Sequence, residues 1–147
     1  MLEVATLLDI PRIVDLGQQL HDTSDYRDIP FNRAKVGYLM ASLIQGAGVV
    51  FVHRKDGEIV GGIAGAVAEH WFSDELHGFE FSFFLEPSAR HGITALRLVR
   101  AFENWCRLRG AKSIRMGITT GINQEGTAGF YRHIGFKDAG VLFQLEI

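Results

Sequence analysis

The chain has 147 residues, of which 47% are hydrophobic and 22% charged, with a formal net charge of −2. That length suffices for one domain with its own core, without metal or disulfide support. The near-neutral balance excludes a global basic field steering the chain to nucleic acid, and the single cysteine, Cys106, excludes an internal disulfide and fits a reducing compartment.

Residues 2–6 (LEVAT) read as a short strand. Asp9 then offers an N-cap, and Pro11 falls in the first turn, where its missing N–H costs nothing. Ile10, Ile13, Val14 and Leu20 recur at helical spacing to about residue 21. Residues 22–31 are polar, broken by Pro30, and predict a loop. Asn32 caps a second helix with Val36, Leu39, Met40, Leu43 and Ile44 on one face, and Gly46 and Gly48 end it. The period then changes. GVVFVHRK is β-branched and aromatic, Asp56-Gly57 is a hairpin turn signal, and EIVGGIAGAVAEH is the return strand. The small residues Gly61, Gly62, Ala64, Gly65 and Ala66 predict that something packs closely on that strand. A loop is expected over 71–77, a strand over 78–86 ending at Pro87, and a helix from Gly92 to about Arg109. Its apolar stripe is Ala95, Leu98, Val99, Phe102, Trp105 and Cys106, and Gly110 terminates it. KSIRMGIT reads as a strand, 124–134 as a short helix, and GFKDAGVLFQLEI as a final strand region. With no repeat, linker or low-complexity tract, 1–147 is expected to form a single domain. The order β-α-α-β-β-β-α-β-α-β predicts a mixed sheet with helices on both faces, its ligand at the carboxyl ends of strands where neighbours diverge.

The segment FFLEPSARHGITALRLVRAFENW is the most informative. It reads strand, tight turn with Arg90 and Gly92, then a long helix. A helix N-terminus presents unpaired N–H groups to a phosphate, glycine allows close backbone approach, and Arg90 adds a cationic fork. Neither a Walker loop nor a dinucleotide fingerprint occurs. An ordinary βα turn is the competing reading. Glu80 is the only charge inside the strand 78–86, ahead of Glu86 at its end, and is read either as a base or as a glutamate on the strand's polar face. Glu86 is a second candidate, more simply a solvated turn residue. His70, His77 and Glu75 lack metal-ligand spacing, so no metal is expected. With Trp71 and Asp74, the two histidines are candidates for the border of an amine site.

The element order, the Pro87-x-x-Arg90-x-Gly92 turn and the Phe130-Tyr131…Gly135-Phe136 ending together resemble the GNAT superfamily of acyl-CoA-dependent N-acetyltransferases, over essentially the whole chain. The family's loop pattern, Q/R-x-x-G-x-G/A, places glycine at residue 93. This chain has Ile93 and Ala95, with its glycine at Gly92. The resemblance implies a mixed, mostly antiparallel central sheet of about six strands flanked by about four helices. It implies that acetyl-CoA, the cosubstrate, lays its pyrophosphate on the amides of Arg90, His91, Gly92, Ile93, Thr94 and Ala95, with Arg97 and Arg100 one and two turns on. Phe84 and Leu85 would meet the pantetheine arm, the Leu85 N–H would face the thioester oxygen, and Asn123 would hydrogen-bond coenzyme A or serve as an N-cap. The catalytic roles it implies are base for Glu80 and acid for Tyr131. The expected reaction is direct attack of a primary amine in a ternary complex. A coenzyme-A-binding or protein-interaction module without turnover is the alternative, and a toxin acting on aminoacyl-tRNA finds little support in the charge. The acceptor is expected to be a small-molecule or peptide amine. Asp22, Asp25 and Asp28 hint at a cationic one. A homodimer stands among the expected partners, a membrane does not, and the expected setting is the cytoplasm.

Overall fold

The computed structural model describes residues 1–90 and 92–147. Its strands are β1 (Leu2–Val4), β2 (Val49–Lys55), β3 (Glu58–His70), β4 (Ser73–Leu85) and β5 (Ser113–Arg115), and its helices are α1 (Ile10–Thr23), α2 (Arg33–Ser42), α3 (Thr94–Leu108) and α4 (Gln124–His133). The five strands form one sheet in the order β1-β2-β3-β4-β5. The first four are antiparallel, and β5 runs parallel to β4. This is a mixed α/β, GNAT-like architecture.

Two apolar layers enclose the sheet. One face buries Ile13 and Leu16 of α1, Met40 of α2, and Val50, Val52, Ala64 and Phe84 of the strands. The other face buries Leu98, Phe102 and Cys106 of α3 against Val49 and Ile63. The small residues of β3 explain how closely α3 approaches. A Cβ placed on Gly65 would lie 2.5 Å from the Phe102 ring, so the ring packs directly on bare backbone. The Asp56-Gly57 turn is formed as expected, both residues having positive φ (51° and 82°).

Helix starts follow local chemistry. The Asn32 side chain accepts from the Lys35 N–H at 3.0 Å, capping α2. At α1 the cap falls earlier than predicted. Asp9 does not cap the helix; its carboxylate accepts from the Thr6 N–H at 2.8 Å, closing a 3₁₀ turn over Leu7–Asp9 that leads into α1.

Three sequence expectations are corrected. β4 begins at Ser73, so residues 73–77 are strand and the turn is only Trp71-Phe72. β5 spans three residues instead of eight. Residues 136–147 form no strand and stay out of the sheet; the five strands among the described residues accord with the expected sheet of about six.

Candidate active site

β4 and β5 pair only at His77–Ser113, Gly78–Ile114 and Phe79–Arg115. Beyond Phe79 they part, and the fork opens a cavity of about 990 Å³. At the same level β4 carries a bulge: Gly65 faces Glu80 and Ala64 faces Ser82, leaving Phe81 without a partner on β3. The extra residue reverses the side-chain alternation of the strand.

Glu80 sits at the foot of this fork, half-buried. Its carboxylate accepts from the Gly117 N–H at 3.0 Å, just past the end of β5. The side chain thus supplies the acceptor that a neighbouring strand would otherwise supply. Burial raises the Glu80 pKa above the ordinary carboxylate value, and the Gly117 hydrogen bond pulls the other way. Tyr131 of α4 lines the same cavity and is 7% exposed. Burial first, and the Glu80 charge second, raise its pKa well above the ordinary phenol value, so it stays protonated throughout the physiological range.

The upper part of β4 supplies backbone. The Glu86 N–H donates to the Val60 carbonyl at 2.8 Å. Hydrogen-bonded and unbonded pairs alternate in an antiparallel ladder, so the N–H and C=O groups of Phe83 and Leu85 point away from β3, into the fork. The Leu85 carbonyl agrees, since it accepts from Arg90 Nε at 3.1 Å. Pro87, Arg90, Gly92 and Ala95 continue the cavity wall to the start of α3. Nothing lies within 4 Å of a Cβ built on Gly92. Unused strand amides, a bare glycine and a helix N-terminus form a cradle that fits an extended amide arm ending in a pyrophosphate.

Not all candidate residues meet here. Phe84 is 2% exposed and packs into the α1/α2 core; the β4 phenylalanines that line the cavity are Phe81 and Phe83. Ile93 and Thr94 begin α3 outside the cavity lining, and Arg97 is exposed. His91 lies outside the described residues. Asn123 lines the cavity, and its side chain makes no capping hydrogen bond to α4. Glu86 is ion-paired to Arg12 at 2.9 Å. Arg100 ties α3 to the end of α4 through the Ile134 carbonyl, at 3.1 Å. His70 and His77, stacked at 4.2 Å, lie with Trp71 and Asp74 toward the hairpin tip of β4, away from the fork; none of them lines the cavity.

The sequence gives no signal for Gly117 or for the bulge. Gly17, Leu20, His21, Ser24 and Tyr26 line the cavity, and the Asp25 N–H donates to the Thr120 carbonyl at 2.8 Å, bridging the loops on either side. Asp22, Asp25 and Asp28 do not line it. Asp22 instead contacts His21 Nδ1 at 3.3 Å. Among the described residues, no helix is long and apolar enough to cross a membrane and no three His, Cys, Asp or Glu side chains gather as a metal site.

A forked mixed sheet with a half-buried carboxylate at its base and a helix N-terminus at its mouth is the arrangement of an acyl-CoA-dependent transferase. A family model described as the acetyltransferase (GNAT) family matches residues 16–136, and the chain belongs to that family. Solved structures share the fold at low identity. The structure of AAC(6')-Iy in complex with the bisubstrate analogue CoA-S-monomethyl-acetylneamine superposes with a TM-score of 0.78 at 16% identity, covering 100% of this chain and 97% of that one. An aminoglycoside acetyltransferase from an uncultured soil metagenomic sample, in complex with sisomicin, gives 0.77 at 15%, covering 100% and 95%. A ribosomal-protein-alanine N-acetyltransferase from Brucella melitensis gives 0.72 at 14%, covering 100% and 99%. No curated protein sequence matches the chain.

Proposed function

We propose that the protein transfers the acetyl group of acetyl-CoA to a primary amine by direct attack within a ternary complex. The observation that carries this reading is the Glu80 carboxylate at the foot of the β4–β5 fork, half-buried, held by the Gly117 N–H and sharing its cavity with the Tyr131 phenol.

A primary amine has a free pKa of ~10 and must lose a proton before it attacks. A carboxylate whose pKa burial has raised is a better acceptor of that proton than an exposed one. Glu80 takes it, directly or through water. The amine nitrogen bonds to the acetyl carbon, the thioester oxygen is stabilised by the Leu85 N–H, and the carbon–sulfur bond breaks. Sulfur leaves as a thiolate and takes the Tyr131 proton, and the second proton on the attacking nitrogen leaves to water. Both groups then exchange protons with solvent, and the cycle closes. Arg90, Gly92 and Ala95 hold the pyrophosphate end, and Asn123 donates to the coenzyme on the α4 side.

The acceptor enters between α1 with its following loop and the 119–122 loop. The three neighbouring structures carry different acceptors in their descriptions, so the reading extends to a small-molecule or peptide amine and no further. A reducing, cytoplasmic setting accords with the lone buried Cys106.

Thermal-shift titrations with acetyl-CoA and with free coenzyme A, paired with thiol release across polyamines, aminoglycosides, amino acids and peptide N-termini, test the proposal. It requires stabilisation by acetyl-CoA and amine-dependent thiol release. Binding without release for every amine would instead make the chain a coenzyme-binding module.

A further inference from the structure

The cavity at the fork is poor in acid. Among the described residues that line it, the fixed charges are Glu80, Arg90 and Arg115. Glu80 is the base of the proposed reaction, and Arg90 belongs to the pyrophosphate end. Arg115 is left over. It is the last residue of β5, opposite Phe79 and two residues before Gly117, the hydrogen-bond partner of Glu80. It is exposed, and no carboxylate among the described residues lies at ion-pair distance from it. A polycationic amine would need several carboxylates here and meets one, already in use. A guanidinium fork beside an amine site fits an amine that also carries a carboxylate.

A series of rings leads away from the same place. Phe81 lines the cavity and is 48% exposed. From it the successive ring centroids run to Phe79 at 5.3 Å, His77 at 5.7 Å, His70 at 4.2 Å, Phe72 at 5.1 Å and Trp71 at 5.4 Å. Burial first, then the charges of His70 and Arg115, lower the pKa of His77, so it is neutral at pH 7. Trp71 and Phe72, at the hairpin tip, are 96% and 67% exposed. A contiguous aromatic surface of this kind marks a binding face. It is far longer than a single amino acid, and it suits the side chains of an extended peptide at ~3.3 Å per residue.

We propose that the acceptor is the amino end of a peptide with acidic residues close behind its amine. The amine lies at Glu80, a carboxylate is held by Arg115, and the following side chains lie on the rings from Phe81 toward Trp71. This rests on the proposed amine acetylation and narrows its acceptor. Two residues of extended chain span ~6.6 Å, the reach from Gly117 back to Arg115, which places the acid at the second or third position of the peptide.

Peptide binding tests this without turnover. Two ten-residue peptides, each with a free amino end and a fluorophore at the other end, differ only at the second and third positions. One has glutamate there and the other lysine, with leucine and phenylalanine beyond. Titrated into protein saturated with coenzyme A, the glutamate peptide should bind wild type at least ~10-fold tighter, the scale of a charge-assisted hydrogen bond. The net charge of −2 works in the opposite sense, toward the lysine peptide. Arg115→Glu should reverse the order, and Arg115→Gln should bring the two peptides within ~3-fold of each other. Because Arg115 is exposed, both variants should melt as wild type does. Trp71→Ser/Phe72→Ser should weaken the ten-residue glutamate peptide by ~3-fold or more and leave a four-residue version unchanged. Equal or lysine-favouring binding by wild type, a preference untouched by Arg115→Glu, or a long peptide insensitive to the hairpin pair would overturn the proposal. So would a lower solution mass of the hairpin variant, which would make the rings a contact between copies of the chain. Tight binding of the glutamate peptide without N-acetyl product would strike the proposed reaction and leave this inference standing. Thiol release driven by other amines, with no binding of the glutamate peptide, would do the reverse.

Discussion

The Glu80 carboxylate accepts from the Gly117 N–H at 3.0 Å across the point where β4 and β5 part. One side chain thereby closes the sheet ladder at the fork and places a titratable group at the base of the cavity. Keeping a carboxylate there costs stability whenever it is ionised, because burial opposes the charge.

Replacement of that charge gives two outcomes with opposite signs. Glu80→Gln keeps an oxygen for the Gly117 N–H and removes the proton acceptor. Turnover near pH 7 should fall by ~10²–10⁴-fold, and the acidic limb of the pH–rate profile should change. Stability should rise. Glu80 has a raised pKa in the fold, so the folded protein binds its proton more tightly than the unfolded chain does. That proton-linked contribution is fully present below the ordinary carboxylate pKa and is lost as pH rises through the folded one. The variant's gain in melting temperature should therefore be present at pH 7, fade as pH falls through the raised folded value and be gone below the ordinary carboxylate value. An unaltered pH–rate profile on the true acceptor would remove Glu80 from proton transfer.

Tyr131→Phe keeps the ring that packs against Phe136, at 5.5 Å between centroids, and deletes only the phenol. The affinity for acetyl-CoA should change little. Turnover at saturating substrates should drop by ~10²-fold or more where chemistry limits the rate. Equal turnover in wild type and variant, under chemistry-limited conditions, rules out proton donation by Tyr131.

Gly92→Val isolates the pyrophosphate cradle, because no atom beyond its chain neighbours lies within 4 Å of the position its Cβ would take. The melting temperature without ligand should hold within the range of a surface change. The dissociation constant for acetyl-CoA should rise at least ~10-fold as the side chain blocks backbone approach. Wild-type affinity in this variant would place the pyrophosphate elsewhere.

Gly65→Ala probes how α3 lies on the sheet. The added Cβ would meet the Phe102 ring at 2.5 Å and the Phe79 carbonyl at 2.5 Å. Overpacking of this kind costs ~1–3 kcal/mol. Chemical denaturation should give a lower midpoint with an unchanged slope.

Much of this layout is legible in the sequence where one residue carries a local rule. Asn32 marks a helix start, Asp56-Gly57 a hairpin, and the Gly and Ala run of β3 the close approach of α3. Glu80 stands out as a lone charge in an aromatic strand. What is not legible depends on register between distant segments. The bulge at Phe81 has no Gly or Pro to announce it, and it shifts which phenylalanine reaches the cavity, so Phe83 lines it where Phe84 was expected. Gly117 becomes the partner of Glu80 only because β5 stops at Arg115. Residues 73–77 look like loop because polar side chains flank both faces near an exposed hairpin tip, although their backbone pairs with Ala68, Glu69 and His70. Segment 139–147 has the alternation of a strand, but it joins no ladder among the described residues.

The central claim is direct transfer from acetyl-CoA to an amine at the β4–β5 fork. Initial-velocity kinetics, with acetyl-CoA and an accepted amine varied together, test it most directly when combined with mass measurement of protein incubated with acetyl-CoA alone. Intersecting reciprocal plots, stoichiometric N-acetyl product and free coenzyme A, and no acetylated protein intermediate are predicted. Parallel plots with an acetyl group resident on the protein would contradict direct transfer.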